Sequence, residues 1–156
     1  MNTPGQIAKH LREAYIGGNW TGVNLKEKLD GVTWQQATTK LYNLNTIADL
    51  VFHVNYYVSA IIKVLEGGPL DAHDKYSYDY KHITSKEEWQ ELVNKAFAEA
   101  EQLAKLVEQL DESKLSEDFS DKKYGSYYRN LHGVIEHTYY HLGQISLIKK
   151  MIAQNG

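Results

Sequence analysis

Three histidines are the residues of this sequence best suited to chemistry, because their spacing fits helices. His137 and His141 are four residues apart, so on a helix their imidazoles project from one face, with Cβ atoms about 5–6 Å apart. Two ring nitrogens at that spacing can reach one metal ion. His53 lies in another helical segment, on the same flank of its apolar stripe. If the two helices are neighbours in a bundle, the three imidazoles form a site for a divalent metal.

The alternative is a set of histidines at the edge of a core, each satisfied by an ordinary hydrogen bond. That is the commoner situation for any single histidine. The spacing of His137 and His141 does not decide between the two, and it is His53 in a matching orientation that favours a metal. The other histidines are predicted to be surface residues: His10, His73, His82 and His132.

Motifs of several other site types are missing from the sequence. Thr138 follows His137 where a zincin metalloprotease needs glutamate. The chain has no Glu-x-x-His pair, as a di-iron carboxylate bundle needs, and no phosphate-binding glycine loop or nucleophile elbow. With no cysteine, disulfides, thiolate ligands and a cysteine nucleophile are all excluded.

Four long helices are predicted to position the histidines, and no segment has the sustained alternation of a strand. Glycine pairs end the first two helices, Asn45 is the predicted N-cap of the second, and Ser85–Glu88 forms a capping box for the third. The predicted helices are Thr3–Ile16, Asn45–Glu66, Ser85–Leu110 and Ser126–Ala153.

Two connections are longer than a tight helix–helix turn requires. The first, Gly17–Leu44, is predicted to contain one short helix at Thr33–Lys40. The second, Gly67–Thr84, is rich in tyrosine, and its stretch Tyr76–Tyr80 is a candidate lid. Connections of this length indicate crossovers or functional loops.

Composition predicts one globular domain over residues 1–156, since 42% of the residues are hydrophobic and 24% are charged. The net charge of −3 and the dispersed basic residues argue against nucleic-acid binding. The most apolar stretch, Ile47–Leu65, contains Asp49 and Lys63 and is expected to be too polar for a membrane span. No secretory signal is evident at the N-terminus, so the expected location is the cytoplasm.

Three polar residues lie one helical turn from a candidate ligand. Asp49 precedes His53, where it either fixes an imidazole tautomer or is a solvated surface acid. Tyr57 follows His53 by one turn, and Gln144 follows His141, where its amide can hydrogen-bond a ligand or a loop carbonyl. Further tyrosines that either line a pocket or only pack are Tyr56, Tyr139 and Tyr140.

The string His137-x-x-x-His141-x-Gly143-Gln144, together with the lone upstream histidine in IADLVFHVNYY, resembles the DinB/YfiT-like family. The early segment GGNWTGVNLKEKLDGVTWQQA is also similar to some members, so the resemblance covers essentially the whole chain. It implies an all-α four-helix bundle in up-down-down-up order, which would account for the long crossover loops.

The resemblance also implies the contents of the site. His53, His137 and His141 take the three ligand positions for one divalent ion, zinc or nickel being expected, with water at the open positions. Gln144 matches the family's glutamine, whereas Leu142 stands where many members carry a basic residue, which puts any shared anion contact there in doubt. A homodimer is expected.

The family does not fix a reaction, since it includes thiol-dependent transferases, a thiol-dependent isomerase and proteins classed as metal-dependent hydrolases. We expect a metal-dependent enzyme acting on a small molecule, and analogy favours a transferase that uses a low-molecular-weight thiol over a hydrolase. The alternatives are a non-catalytic metal-binding or stress protein and a helical interaction module.

Overall fold

The structure, a computed structural model, describes residues 1–155 and consists of helices and their connections. An isolated bridge joins Asp118 and Ser126, and no strand forms in this range, which confirms the all-α prediction. Short 3₁₀ turns lie at Asp74–Tyr76, Glu112–Ser116 and Lys122–Tyr124. The α-helices are α1 (Thr3–Ile16), α2 (Leu25–Leu29), α3 (Trp34–Ala37), α4 (Ile47–Leu65), α5 (Lys86–Glu108) and α6 (Tyr127–Asn155).

Side chains that accept hydrogen bonds from free backbone amides fix where the long helices begin. The N-cap of α4 is Thr46, not the predicted Asn45, because Thr46 and Asp49 form a reciprocal capping box. Ser85 caps α5 as predicted. Its capping box is incomplete, however, because the Glu88 carboxylate accepts from the backbone of Thr84 at 2.7 Å instead of that of Ser85.

The connection between α1 and α4 contains two short helices where one was predicted. The predicted helix Thr33–Lys40 is present as the shorter helix α3. Helix α2 was not predicted. At five residues, α2 is too short to show a helical period. The indole Nε1 of Trp89 donates to the carbonyl of Val32 at 2.9 Å and so attaches this connection to α5.

The four long helices surround one hydrophobic core, in which α1 and α4 each pack against both α5 and α6. Helices α1 and α4 therefore lie diagonally opposite each other. Core side chains that are almost fully buried include Leu11, Tyr15, Leu50, Val58, Leu103, Leu131, Leu142 and Ile145.

Contacts along α1 give its direction relative to α5. Thr3, at the start of α1, hydrogen-bonds to Glu112, just beyond the end of α5. Arg12, near the end of α1, pairs with Glu101 at 2.8 Å and also with Glu108. As residue numbers rise along α1, the numbers of the residues contacted on or just beyond α5 fall. The two helices are therefore antiparallel.

Contacts along α4 complete the topology. Asn55 donates a hydrogen bond to Glu99 at 2.9 Å, and Gln102 donates one to Glu66 at 2.8 Å. Residue numbers rise together along the two helices, so α4 and α5 are parallel. The rings of His53 and His141 are 4.8 Å apart and those of Tyr57 and His137 are 5.0 Å apart, so α4 and α6 are antiparallel. The predicted up-down-down-up order is confirmed.

This order explains the second long connection. Since α4 and α5 run the same way, the chain must return along the bundle between them, over the length of the 19-residue α4, about 28 Å. The Gly67–Thr84 crossover makes that return and passes beside His53. The crossover is therefore required by the topology and also placed to cover the histidines.

Helix α4 is long and apolar enough to cross a membrane by length and composition alone, contrary to the expectation from its polar residues. In the structure, 67% of its apolar window is buried within the bundle. Core helices of soluble proteins show the same combination of apolar composition and burial.

Leu103→Ala on α5 is expected to lower the free energy of unfolding by about 2–5 kcal/mol, because the side chain is 0% exposed in the core. Leu147→Ala on α6 is the matched control, since this leucine is 58% exposed and its truncation should change stability by less than about 0.5 kcal/mol. Urea denaturation followed by circular dichroism measures both. Similar losses in the two variants would contradict the described core.

Candidate metal centre

Three imidazoles converge where α4 faces α6. The Nε2 atom of His137 lies 3.0 Å from Nε2 of His53 and 3.0 Å from Nε2 of His141. One ring nitrogen from each residue lies within 4.8 Å of the other two. The structure thus brings together the three histidines predicted from the sequence, with Nε2 of His137 next to a ring nitrogen of each of the other two.

The antiparallel packing of α4 and α6 produces this convergence. His137 and His141 are one turn apart on α6, and the ring of His53 on α4 lies 4.9 Å from that of His137 and 4.8 Å from that of His141. His53 and His141 are buried, and His137 is half-buried. The side chains meet because the apolar stripes of the two helices pack at the same level.

Burial keeps the three rings neutral near pH 7. Desolvation, with the neighbouring imidazoles of His141 and His53, lowers the pKa of His137 to about 4. Desolvation also lowers the pKa of His53 and of His141 below the ordinary value. Neutral imidazole is the form that binds metals, so at pH 7 the three rings already have the charge state that a metal requires.

Gln144 fixes the orientation of one ring. Its Oε1 atom lies 2.6 Å from Nδ1 of His141 and accepts the proton that Nδ1 carries. With the proton on Nδ1, the lone pair of His141 is on Nε2, toward the other two histidines. The Nδ1 atoms of His53 and His137 are buried without a hydrogen-bond partner in the described part of the chain.

Two tyrosines hold the rings in place by packing. Tyr78, from the crossover, stacks on His53 with centroids 4.3 Å apart and planes only 7° apart. Tyr57 lies edge-on to both His53 and His137, at 5.2 and 5.0 Å. Its hydroxyl donates to the Asp74 carboxylate, and burial together with that carboxylate raises the pKa of Tyr57 to about 12. Tyr57 is therefore a neutral phenol at pH 7.

The environment of Asp49 differs from both alternatives given by the sequence, an imidazole partner and a solvated surface acid. Its carboxylate accepts from the backbone amide of Thr46 at 2.8 Å and from the Tyr80 hydroxyl at 2.9 Å. It therefore caps α4 and anchors the crossover, and no imidazole is among its hydrogen-bond partners. Position one turn from His53 was a poor guide, because a residue in the first helical turn faces free backbone amides.

The remaining tyrosines and histidines differ in their relation to the cluster. Tyr140 is exposed and edge-on to His141 at 4.9 Å, whereas Tyr139 faces His10 on α1. Tyr56 holds the crossover, since its hydroxyl bonds the backbone of His73. His132 is half-buried and packs against Tyr128. The cluster contains none of the remaining histidines, which are His10, His73, His82 and His132.

A cavity of about 500 Å³ opens beside the cluster, with His137 and Tyr57 in its wall. Most of the wall is apolar. The other lining residues are Ala60, Ile61, Leu70, Ala72, Asp74, Phe119, Tyr124, Arg129, Asn130, Gly133 and Val134. A small molecule in this cavity would therefore lie next to one of the three histidines.

Sequence reasoning identified His137 and Tyr57 of this cavity but not its two charged residues, Asp74 and Arg129. Asp74 lies on the crossover, and no local pattern indicates which helix it meets. A signal did exist for Arg129, because Arg129, Gly133, His137 and His141 follow one another at intervals of four and so share one face of α6.

The donor set fits a divalent metal. A metal with bonds of about 2.0–2.1 Å holds neighbouring ligand nitrogens roughly 3.0–3.4 Å apart, which matches the two 3.0 Å separations. Three neutral nitrogens suit zinc or nickel. Within residues 1–155 the cluster offers three ligand atoms and no fourth from His, Asp or Glu, a pattern typical of catalytic sites that keep an open position.

A four-helix bundle with three histidines on two facing helices defines a class of metal-binding bundle proteins. The family model of the DinB superfamily matches residues 11–145. The chain belongs to the DinB superfamily, as the sequence resemblance predicted. No curated protein and no solved structure matches the chain at a significant level.

Replacing any one ligand should abolish tight metal binding. His53→Ala, His137→Ala and His141→Ala are each expected to reduce bound metal from about one ion per chain to a small fraction of that. His132→Ala is the matched control on α6 and should bind as wild type does. Mass spectrometry of zinc- or nickel-loaded protein measures the content, with circular dichroism to verify folding. A folded triad variant that retains the metal would refute the site.

Gln144→Leu should weaken metal binding about 10- to 100-fold, because Nδ1 of His141 loses the acceptor that orients the ring. Gln144→Glu keeps an acceptor oxygen at the same place and should bind at least as tightly as wild type. Competition with a chromophoric chelator gives both dissociation constants. Equal affinity of the Leu variant and wild type would show that packing alone orients His141.

Proposed function

We propose that this protein is a metal-dependent enzyme that activates the thiol or water nucleophile of a small-molecule reaction. The observation that carries the proposal is the position of His137, which belongs both to the three-nitrogen cluster and to the wall of a cavity of about 500 Å³. A site that only stores or is stabilised by a metal is usually closed by four protein ligands.

His53, His137 and His141 would hold the ion. A divalent ion there supplies Lewis-acid chemistry, lowering the pKa of a thiol or water that reaches it. Three neutral ligands leave the ion's double positive charge uncompensated, which favours an anionic nucleophile. The chain has no cysteine, so a thiol nucleophile has to come from a cosubstrate.

The residues around the cluster have definable tasks. Tyr57 remains protonated at neutral pH and can donate a hydrogen bond toward the cavity if it exchanges its present acceptor, Asp74, for a substrate atom. Ile61, Leu70 and Phe119 give the cavity an apolar wall for the uncharged part of a substrate. Tyr78 holds His53 in its rotamer by stacking.

We favour transfer of a low-molecular-weight thiol over hydrolysis, by analogy with relatives. In such a transfer the thiol gives its proton to solvent, and its sulfur forms a bond to an electrophilic carbon. The leaving group departs with the electron pair of the bond that breaks. Hydrolysis of an ester would use water in place of the thiol and the same three histidines.

The test compares both chemistries on protein loaded separately with zinc, nickel and manganese. We expect conjugation of a simple thiol to chlorodinitrobenzene to depend on the metal and to fall at least about 100-fold in His137→Ala, because the nucleophile is then no longer activated. His132→Ala should retain the activity, and nitrophenyl esters test hydrolysis in parallel.

The other outcomes identify the rival functions. Tight metal binding with neither activity would favour a non-catalytic metal-binding protein. A folded wild-type protein that binds none of the three metals would refute the enzyme proposal and favour a helical interaction module.

A further inference from the structure

The wall of the cavity beside the histidines contains one negatively and one positively charged side chain. Within residues 1–155 its wall contains two charged side chains, Asp74 and Arg129. Asp74 lies near the cluster, and its carboxylate accepts a hydrogen bond from the hydroxyl of Tyr57. Arg129 lies two helical turns before His137 on the same face of α6, so the Cα atoms of these two residues are roughly 12 Å apart along the helix.

Gly133 provides the space that Arg129 occupies. A Cβ atom built on Gly133 would lie 3.1 Å from Nη1 of Arg129, tighter than ordinary van der Waals contact. Arg129 therefore lies back over α6 toward His137, at the level of a residue without a side chain. Glycine in a helix interior costs about 1 kcal/mol relative to alanine, and clearance for the guanidinium is a physical reason for its presence at this position.

The guanidinium of Arg129 is held only weakly by other groups of the protein. Among residues 1–155 its one ion pair is with Glu136 at 3.8 Å, and the two side chains are 68% and 72% exposed. Such an exposed pair is weak and readily exchanged. Arginine presents a planar set of donors that binds a carboxylate or phosphate through two parallel hydrogen bonds.

We propose that Arg129 binds the anionic group of the molecule that occupies this cavity. The substrate class is a small molecule with a carboxylate or phosphate at one end, an apolar middle that contacts Ile61, Leu70 and Phe119, and its reacting atom at the histidines. The separation of the two ends corresponds to one to two helical turns. This assignment rests on the proposed function only for the identity of the reacting end.

The test uses two thiols of equal length, mercaptohexanoate and mercaptohexanol, which differ in the carboxylate. With cobalt(II)-loaded protein, sulfur binding is followed by its charge-transfer absorption, and the carboxylate thiol should bind on the order of tenfold tighter. Arg129→Gln should reduce the two affinities to equality, and Arg129→Lys should retain part of the preference. Lys123→Gln, on the neighbouring 3₁₀ turn and outside the cavity wall, should change neither.

Calorimetric titration of metal-free protein with the same two compounds separates this proposal from the metal proposal. A preference for the carboxylate that disappears in Arg129→Gln supports the anion site even if no metal binds. Equal affinities in wild type, or a preference that persists in folded Arg129→Gln, would overturn it whatever the metal does.

Discussion

The close approach of three neutral imidazoles between α4 and α6 is the constraint on which the rest of the structure depends. Nitrogen atoms 3.0 Å apart cannot all be protonated, because like charges at that distance in a desolvated site are strongly unfavourable. Burial therefore both brings the rings together and keeps them neutral. The packing of the bundle core provides most of the free energy for this arrangement, and a hydrogen bond between two ring nitrogens can add to it.

The topology determines what covers the rings. With α4 and α5 parallel, the crossover has to run the length of the bundle, and its tyrosines attach it to α4 at several points. Tyr80 reaches the Asp49 carboxylate, Tyr78 stacks on His53, and Asp74 accepts from Tyr57. One segment thus satisfies a requirement of chain connectivity and also shapes the entrance of the site. A shorter connection would leave His53 exposed and raise its pKa toward that of a free imidazole.

Sequence alone was sufficient for whatever depends on helical period. The long helices and the shared face of His137 and His141 follow from spacings of three and four residues. The meeting of these two with His53 required in addition that α4 and α6 be neighbours, which the family resemblance implied. Contacts between distant segments were not predictable. Asp49 illustrates this, because its position suggested an imidazole partner while its carboxylate serves the helix N-terminus and Tyr80. The homodimer and the cytoplasmic location remain predictions of the sequence.

The polarity of α6 links these observations to the chemistry of the site. Along this helix an arginine, a glycine and two histidines follow one another at intervals of four, each about 40° further round the helix than the last. Leu131, Val134, Leu142 and Ile145 of the same helix are buried in the core. Leu142 is 1% exposed, so a charge at this position would be buried. Arg129 and His137, by contrast, both lie in the wall of the cavity. The packing of the core thus leaves a different side of α6 to line the cavity.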